Sequence, residues 1–178
     1  SLYAELKVKF EKYFLGKNDD ICATALRFST AYGLSPRMRF DLTVNEFARE
    51  AAVEKELVVY GEQFWRPYCH TVDLSRACLM MLEADEKLIN RQAFNVGDND
   101  ENYQKQMIVD AIKKQVPQFT YKYVEKNEDP RDYRVNFTKI KELGFSISKR
   151  VPDGIREACT VISSGIILDP FDSKHSNI

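Results

Sequence analysis

The chain opens Ser1-Leu2-Tyr3-Ala4-Glu5-Leu6-Lys7 and, after a short connection, runs Ile21-Cys22-Ala23-Thr24-Ala25-Leu26-Arg27-Phe28. The first stretch begins a helix predicted over residues 3–15, because Leu2, Leu6, Phe10 and Phe14 recur every four residues on one face. Gly16 stands where a helix C-cap is expected. The second stretch is short and largely apolar, which is how a buried parallel strand reads. The pair points to an α/β architecture, and it starts on a helix with no strand before it.

The alternation continues downstream. A loop over 29–40 is punctuated by Gly33 and Pro36. A helix is predicted over 42–55, with Asp41 or Thr43 as its cap. Residues 57–60 and 66–70 read as short strands around a turn at Gly61. Thr71 or Asp73 then opens a helix to about Glu83, with Val72, Leu79 and Leu82 facing inward. A strand over 93–96 closes in the turn-rich Gly97-Asp98-Asn99-Asp100. A helix over 103–115, a strand over 119–124, a polar loop over 127–134 and helices over 138–143 and 152–163 complete the pattern. The polar tail from Ser173 is expected to fray.

Bulk composition narrows the function. The 178 residues are 44% hydrophobic and 30% charged, ordinary values for one globular domain with a real core. A formal net charge of −1 provides no basic field for nucleic acid or for an anionic membrane. No apolar run approaches the roughly 18 residues of a membrane span. Residues 1–10 are amphipathic and charged, unlike a signal peptide, so a cytoplasmic protein is expected. Cys22, Cys69, Cys78 and Cys159 include no C-x-x-C pair, and His70 and His175 are too few for a His-rich site, so no metal is expected.

Tyr3 and Lys7 are the residues with chemistry to offer. Four apart on a helix, they share a face. A phenol is a poor base near neutrality, with a reference pKa of about 10. A neighbouring ammonium favours the phenolate. Such a phenol takes a proton from a sugar hydroxyl while hydride leaves the same carbon. The lysine can also donate to a ribose hydroxyl.

Further motifs follow in order: Leu26-Arg27-Phe28-Ser29-Thr30-Ala31-Tyr32-Gly33, Trp65-Arg66-Pro67-Tyr68-Cys69-His70-Thr71-Val72-Asp73-Leu74, Ala93-Phe94-Asn95-Val96-Gly97 and Asp129-Pro130-Arg131-Asp132-Tyr133-Arg134-Val135-Asn136. With Tyr3-x-x-x-Lys7 ahead of them, this series resembles the NAD-dependent epimerase/dehydratase family of extended short-chain dehydrogenases, from Ser1 to about Ile162. The resemblance implies Tyr3 as catalytic base or acid, with Lys7 as its cofactor-binding partner. It places Thr30 and Tyr32 in a stretch facing the nicotinamide and the sugar. Thr30 stands where the family often has Asn. Asn45 falls near the nucleotide, and Arg66 and Arg131 match arginines that grip nucleotide diphosphate or ribose, a task suited to a planar bidentate donor. The implied cofactor is NAD or NADP, and the implied substrate a nucleotide-linked sugar. The implied reaction is epimerisation, dehydration or reduction. A homodimer through the Tyr3–Lys7 helix is also implied.

On this reading the fold is the C-terminal part of a Rossmann-type parallel sheet plus a small α/β substrate-binding lobe, with the N-terminal dinucleotide-binding half absent. Residues 1–33 and 65–100 go with the Rossmann side, 34–64 and 101–165 with the lobe, and 166–178 with the tail. The seven glycines, at 16, 33, 61, 97, 144, 154 and 165, contain no glycine-rich phosphate-binding turn. The chain is therefore expected to be a fragment of a longer enzyme or a truncated reading frame, binding NAD poorly alone. A second chain supplying the missing half is a third option. The rival function is a non-catalytic sugar-nucleotide-binding or interaction module without a cofactor site. Several residues read as structural: His70 bonding backbone at a strand–helix junction, Asp73 at a helix start, Trp65 in packing, Asn95 and Gly97 at a turn, and Met80 and Met81 in the core. Arg37 and Arg39 are open between solvated charge and a phosphate role.

Overall fold

The computed structural model describes residues 2–17, 20–129 and 132–177. The chain begins with α1 (Leu2–Gly16) and β1 (Thr24–Phe28), then β2 (Thr30–Tyr32), α2 (Thr43–Ala52), β3 (Leu57–Tyr60), β4 (Trp65–His70) and α3 (Thr71–Glu83). It continues with α4 (Glu86–Ile89), β5 (Gln92–Val96), β6 (Asn102–Gln104), α5 (Lys105–Gln115), β7 (Tyr121–Val124), α6 (Thr138–Glu142) and α7 (Val151–Ser163). Single 3₁₀ turns occupy Asn99–Glu101 and Ser173–His175.

This is an α/β fold with parallel pairing. β1 runs parallel to β5, from Thr24 opposite Gln92 to Phe28 opposite Val96. The pairing with β5 ends at Ser29, whose amide and hydroxyl both donate to Val96 O, at 3.3 and 2.7 Å. The strand resumes as β2, parallel to β4, where the sequence predicts a loop. β4 also pairs antiparallel with β6, and β3 pairs parallel with β7. The Gly61 turn therefore does not build a hairpin: β3 and β4 lie in different sheets.

Two cores result. Tyr32, Phe47, Val59, Tyr68, Ile108 and Ile155 anchor the first, between α2, α5, α7 and β2 to β4. Leu74, Met81, Phe94, Val96, Phe137 and Ile140 anchor the second, around α3, β5 and α6. Residues 137–145, grouped by sequence with the substrate lobe, thus pack on the α3 and β5 side. Met81 lies in this second core, as predicted, and the half-buried Met80 packs against it.

Several local expectations are corrected. α3 turns Asp73, Leu74, Ala77 and Met81 inward, while Val72, Leu79 and Leu82 are exposed. Asp73 decides that face: it is fully buried and receives the Ser148 amide and hydroxyl and the Lys149 amide. The cap of α3 is His70, whose Nδ1 accepts from Val72 N, not Thr71 or Asp73. α2 has Leu42 at its N-cap without a side-chain cap, and Asp41 instead holds Arg39 at 2.6 Å. Gly16 ends α1 as a helical residue. Residues 174–176 of the tail, where the sequence predicts fraying, are hydrogen-bonded to the loop before α2. Phe40 N donates to His175 O at 2.8 Å, and Arg37 donates to Lys174 O and Ser176 O. No described helix is long and apolar enough to cross a membrane.

Candidate functional site

α1 presents Tyr3, Lys7 and Glu11 at four-residue spacing, so all three share a face. Lys7 Nζ lies 5.6 Å from the centroid of the Tyr3 ring, within range of a cation–π contact. Tyr3 is 71% exposed. These side chains, with Phe10 and Phe14, line a groove of about 520 Å³ whose other wall is β1 from Thr24 to Phe28. Across it Arg27 grips Glu11 with both arms, Nε to Oε2 at 2.8 Å and Nη2 to Oε1 at 2.6 Å. The Arg27 hydrogen bonds hold the Glu11 carboxyl below its ordinary range. Among the described residues, β1 has β5 as its single paired neighbour.

Other residues singled out from sequence fall on β2, α2 and β4. Thr30 is half-buried at the start of β2, opposite Tyr68. Tyr32 is a core residue at 1% exposure, its hydroxyl turned toward Glu101 and Lys149 O. Burial pushes that phenol upward, and the Glu101 charge adds to it. Asn45 is buried, accepts from Gly33 N at 3.0 Å and donates to Arg39 O at 3.0 Å. Its amide therefore ties the β2–α2 loop together at both ends. Arg66 donates to Asp129 Oδ2 at 2.8 Å and to Trp65 O at 2.7 Å, beside the Tyr133 ring. Arg134 covers the face of Trp65. Arg131 lies outside the described residues. Of the phosphate candidates in the loop, Arg37 caps tail carbonyls and Arg39 pairs with Asp41.

Two buried polar groups, His70 and Glu101, and the half-buried Glu157 organise the space behind these residues. His70, at 1% exposure, accepts from Val72 N through Nδ1, so its Nε2 carries the proton and donates to Glu157 Oε2 at 2.9 Å. Burial works against the ionised Glu157, but Lys149 and His70 outweigh it and hold that carboxyl low. A side chain at Gly33 would place its Cβ 2.1 Å from His70 Nε2, and Gly33 has a φ of +96°. Glycine is thus required there on two grounds. Sequence reasoning gave His70 its structural role but missed Glu157, a partner 87 positions away. It also missed Glu101, which is 1% exposed and receives Val151 N at 3.0 Å, Arg150 and Tyr103. Nothing in Asp98-Asn99-Asp100-Glu101 separates that carboxylate from its solvated neighbours.

Comparison with known proteins places this geometry in a wider group. RMD from Pseudomonas aeruginosa, solved in complex with NADPH, superposes with a TM-score of 0.78 at 15% identity, over 91% of this chain and 56% of its own. dTDP-glucose 4,6-dehydratase from Bacillus anthracis, solved with NAD, superposes with a TM-score of 0.76 at 20% identity, over 94% and 54%. ADP-L-glycero-D-manno-heptose-6-epimerase from Helicobacter pylori superposes with a TM-score of 0.73 at 21% identity, over 91% and 50%. At these identities the likeness is one of fold. The chain spans about half the length of these structures. The model of the NAD dependent epimerase/dehydratase family matches residues 1–97, more than half of the sequence. That match begins on the Tyr3–Lys7 helix and runs through β1, β2, β4 and α3 to the end of β5, and this chain belongs to the NAD-dependent epimerase/dehydratase family.

Proposed function

We propose that this chain supplies the proton-transfer pair and part of the substrate side of an enzyme that modifies a nucleotide-linked sugar with NAD or NADP. The observation that carries the reading is the Tyr3–Lys7 face of α1, open on a groove against β1, in a chain of this family. A phenol and an ammonium on a solvent-accessible wall fit a ribose edge and a sugar hydroxyl, with donors and an acceptor exposed together. Bound nicotinamide would supply hydride acceptance. Tyr3 takes the proton from the sugar hydroxyl, and the positive Lys7 stabilises the phenolate that does so. Lys7 has donors left over for a ribose hydroxyl.

Thr30 and Tyr32 continue the strand that forms the groove wall, Thr30 offering a hydroxyl and Tyr32 setting the depth of the core. Asn45 acts on the nucleotide side by fixing the loop that starts at Gly33. Arg66 is the diphosphate grip, with Asp129 holding its guanidinium flat until an anion competes for it. For Arg131 the proposed role is the nucleotide contact that the family resemblance implies. The reading also includes a homodimer through α1, which leaves Leu2, Leu6 and Phe10 exposed. A cytoplasmic enzyme fits the family and the composition.

Nucleotide sugars differing in base and sugar, presented to the full-length protein with NAD and then NADP, test the reading. We expect epimerised, dehydrated or reduced product with one of them, followed by nicotinamide absorbance and product chromatography. Binding of nucleotide sugars with no turnover of any would replace the enzyme with a sugar-nucleotide-binding module.

A further inference from the structure

A third, small core joins distant parts of the chain. Met38 and Phe40 come from the loop between β2 and α2, and Ile162 comes from α7. Ile167 packs against them from the segment after α7. The loop over 33–42 has no helix or strand, and the tail over 166–177 has only the 3₁₀ turn at Ser173–His175. Such segments are ordered by their contacts, and these two supply contacts to each other. Arg37 donates to Lys174 O at 3.2 Å and to Ser176 O at 3.3 Å. Phe40 N donates to His175 O at 2.8 Å. His175 Nδ1 returns a bond to Met38 O at 3.1 Å, so that nitrogen carries the proton. The His175 ring stands edge-on to Phe40, with 5.3 Å between centroids. Asn177 N donates to Asp41 Oδ2 at 3.2 Å. Earlier in the tail, the Phe171 ring takes two cations, Arg49 at 4.4 Å and Lys55 at 5.0 Å from its centroid.

We propose that the tail is a strap that holds the loop between β2 and α2 in the shape that nucleotide binding requires, with Phe171 and His175 as its positioning residues. Asn45 fixes this loop from within, at Gly33 N and Arg39 O. The strap fixes it from the other side, at Arg37, Met38, Phe40 and Asp41. Phe171 ties the same strap to α2, because Arg49 lies on that helix and Lys55 follows its end. The tail therefore reaches from beyond the C-terminal end of α2 to the loop before its N-terminal end. Asn45 lies on the helix so spanned. His175 serves the loop twice, as a hydrogen-bond donor to Met38 O and as a ring against Phe40. Arg37, open in the sequence between a solvated charge and a phosphate contact, belongs to the strap.

The inference rests on the proposed nucleotide-side role of Asn45 and its loop, so one readout is independent of turnover. In the full-length protein, Phe171→Lys is combined with His175→Ala. The first change sets a third cation against Arg49 and Lys55, and the second removes the ring and the donor at the loop. Deuterium uptake by the Phe40 amide, followed in the peptide over 34–42 by mass spectrometry, should become about tenfold faster, the scale of one or two lost contacts of this kind. The peptide over 105–115, from α5 in the first core, should keep its rate. Phe171→Tyr, which retains a ring for both cations, should stay within about twofold. Turnover is then read with UDP-glucose, dTDP-glucose, ADP-glucose and GDP-mannose. For the nucleotide sugar that is turned over, the double variant should raise KM about tenfold with kcat within about twofold. A merely structural role would lower the amount of active protein, and so kcat, at unchanged KM. Unchanged Phe40 exchange in the double variant overturns the strap. So does a joint rise over 105–115, which signals general unfolding. Faster Phe40 exchange at unchanged KM overturns the link to nucleotide binding. If the exchange pattern holds while the starting protein turns over no nucleotide sugar, the strap's hold on the loop stands and the enzyme reading falls.

Discussion

α1 and α7 have similar lengths, 15 and 13 residues, but α7 buries Val151, Gly154, Ile155, Ala158 and Ile162, whereas α1 buries none. α7 starts with Pro152 in its first turn and Arg150 N bonded to Asp153 at 2.9 Å, and its Gly154 admits the Tyr32 ring. It is held by packing, and its sequence shows this as a clean apolar stripe. α1 has a stripe of equal clarity in Leu2, Leu6, Phe10 and Phe14, yet that stripe meets little of the described fold. The contrast separates two meanings of one pattern. Periodicity reports that a helix has an apolar face; it does not report what covers it. Among the described α-helices, the one that carries Tyr3 and Lys7 is the one without a buried side chain.

The sharpest break of this contrast is Ile155→Ala. It should destabilise the chain by about 3 kcal/mol in urea denaturation, as a fully buried isoleucine leaves a cavity. Next is Gly33→Ala, expected to cost about 2 kcal/mol, since the added methyl meets His70 in a left-handed backbone. An effect below about 0.5 kcal/mol there would mean that the His70–Glu157 contact is loose.

Asp73 and Glu101 sharpen the comparison within the packed region. Both are buried carboxylates, and burial pushes both upward. At Asp73 the bonds from Ser148, Arg76 and Lys149 outweigh burial and hold the group low. At Glu101 the Val151 amide and Arg150 do not, and the group stays high. A lowered folded value adds stability above the unfolded value of about 3.9 and loses it as pH falls through the folded one. A raised value adds stability below the unfolded value of about 4.3 and loses it as pH rises through the folded one. Asp73→Asn should therefore cost more at pH about 7 than at about 3, and Glu101→Gln the reverse. Denaturation at both pH values checks the two signs. The smallest effect belongs to α1: in the isolated chain, at a dilution where it is monomeric, Leu6→Ala should change stability by less than about 0.5 kcal/mol.

Much of the fold was readable because it follows from local pattern. The α1 helix, the β1 strand, β3 at its observed bounds and most of the helix predicted over 103–115 declare themselves by period and composition; Tyr103 and Gln104 instead belong to β6. What was not readable depends on partners distant in the chain. β2 exists because Thr30–Tyr32 pair with Tyr68–His70 of β4. The face of α3 is set by Asp73 reaching Ser148, 75 positions away. The tail is ordered by Arg37 and Phe40, more than 130 positions upstream. The candidate site divides the same way. The shared face of Tyr3 and Lys7 was legible because four-residue spacing is itself the geometry. The fork from Arg27 to Glu11 was not, because strand and helix meet only on folding.

The central claim is that position on the α1 face, and not mere possession of an exposed phenol, makes Tyr3 the proton-transfer group. Tyr13 is a built-in control on the same helix, 66% exposed against 71% for Tyr3, with Lys17 over its ring where Lys7 stands over Tyr3. Nicotinamide-linked turnover of the preferred nucleotide sugar should be compared in Tyr3→Phe and Tyr13→Phe forms of the full-length protein. Tyr3→Phe is predicted to lower kcat by about 10²- to 10⁴-fold while Tyr13→Phe stays within about twofold of the starting protein. Equal turnover in the two variants would contradict the account.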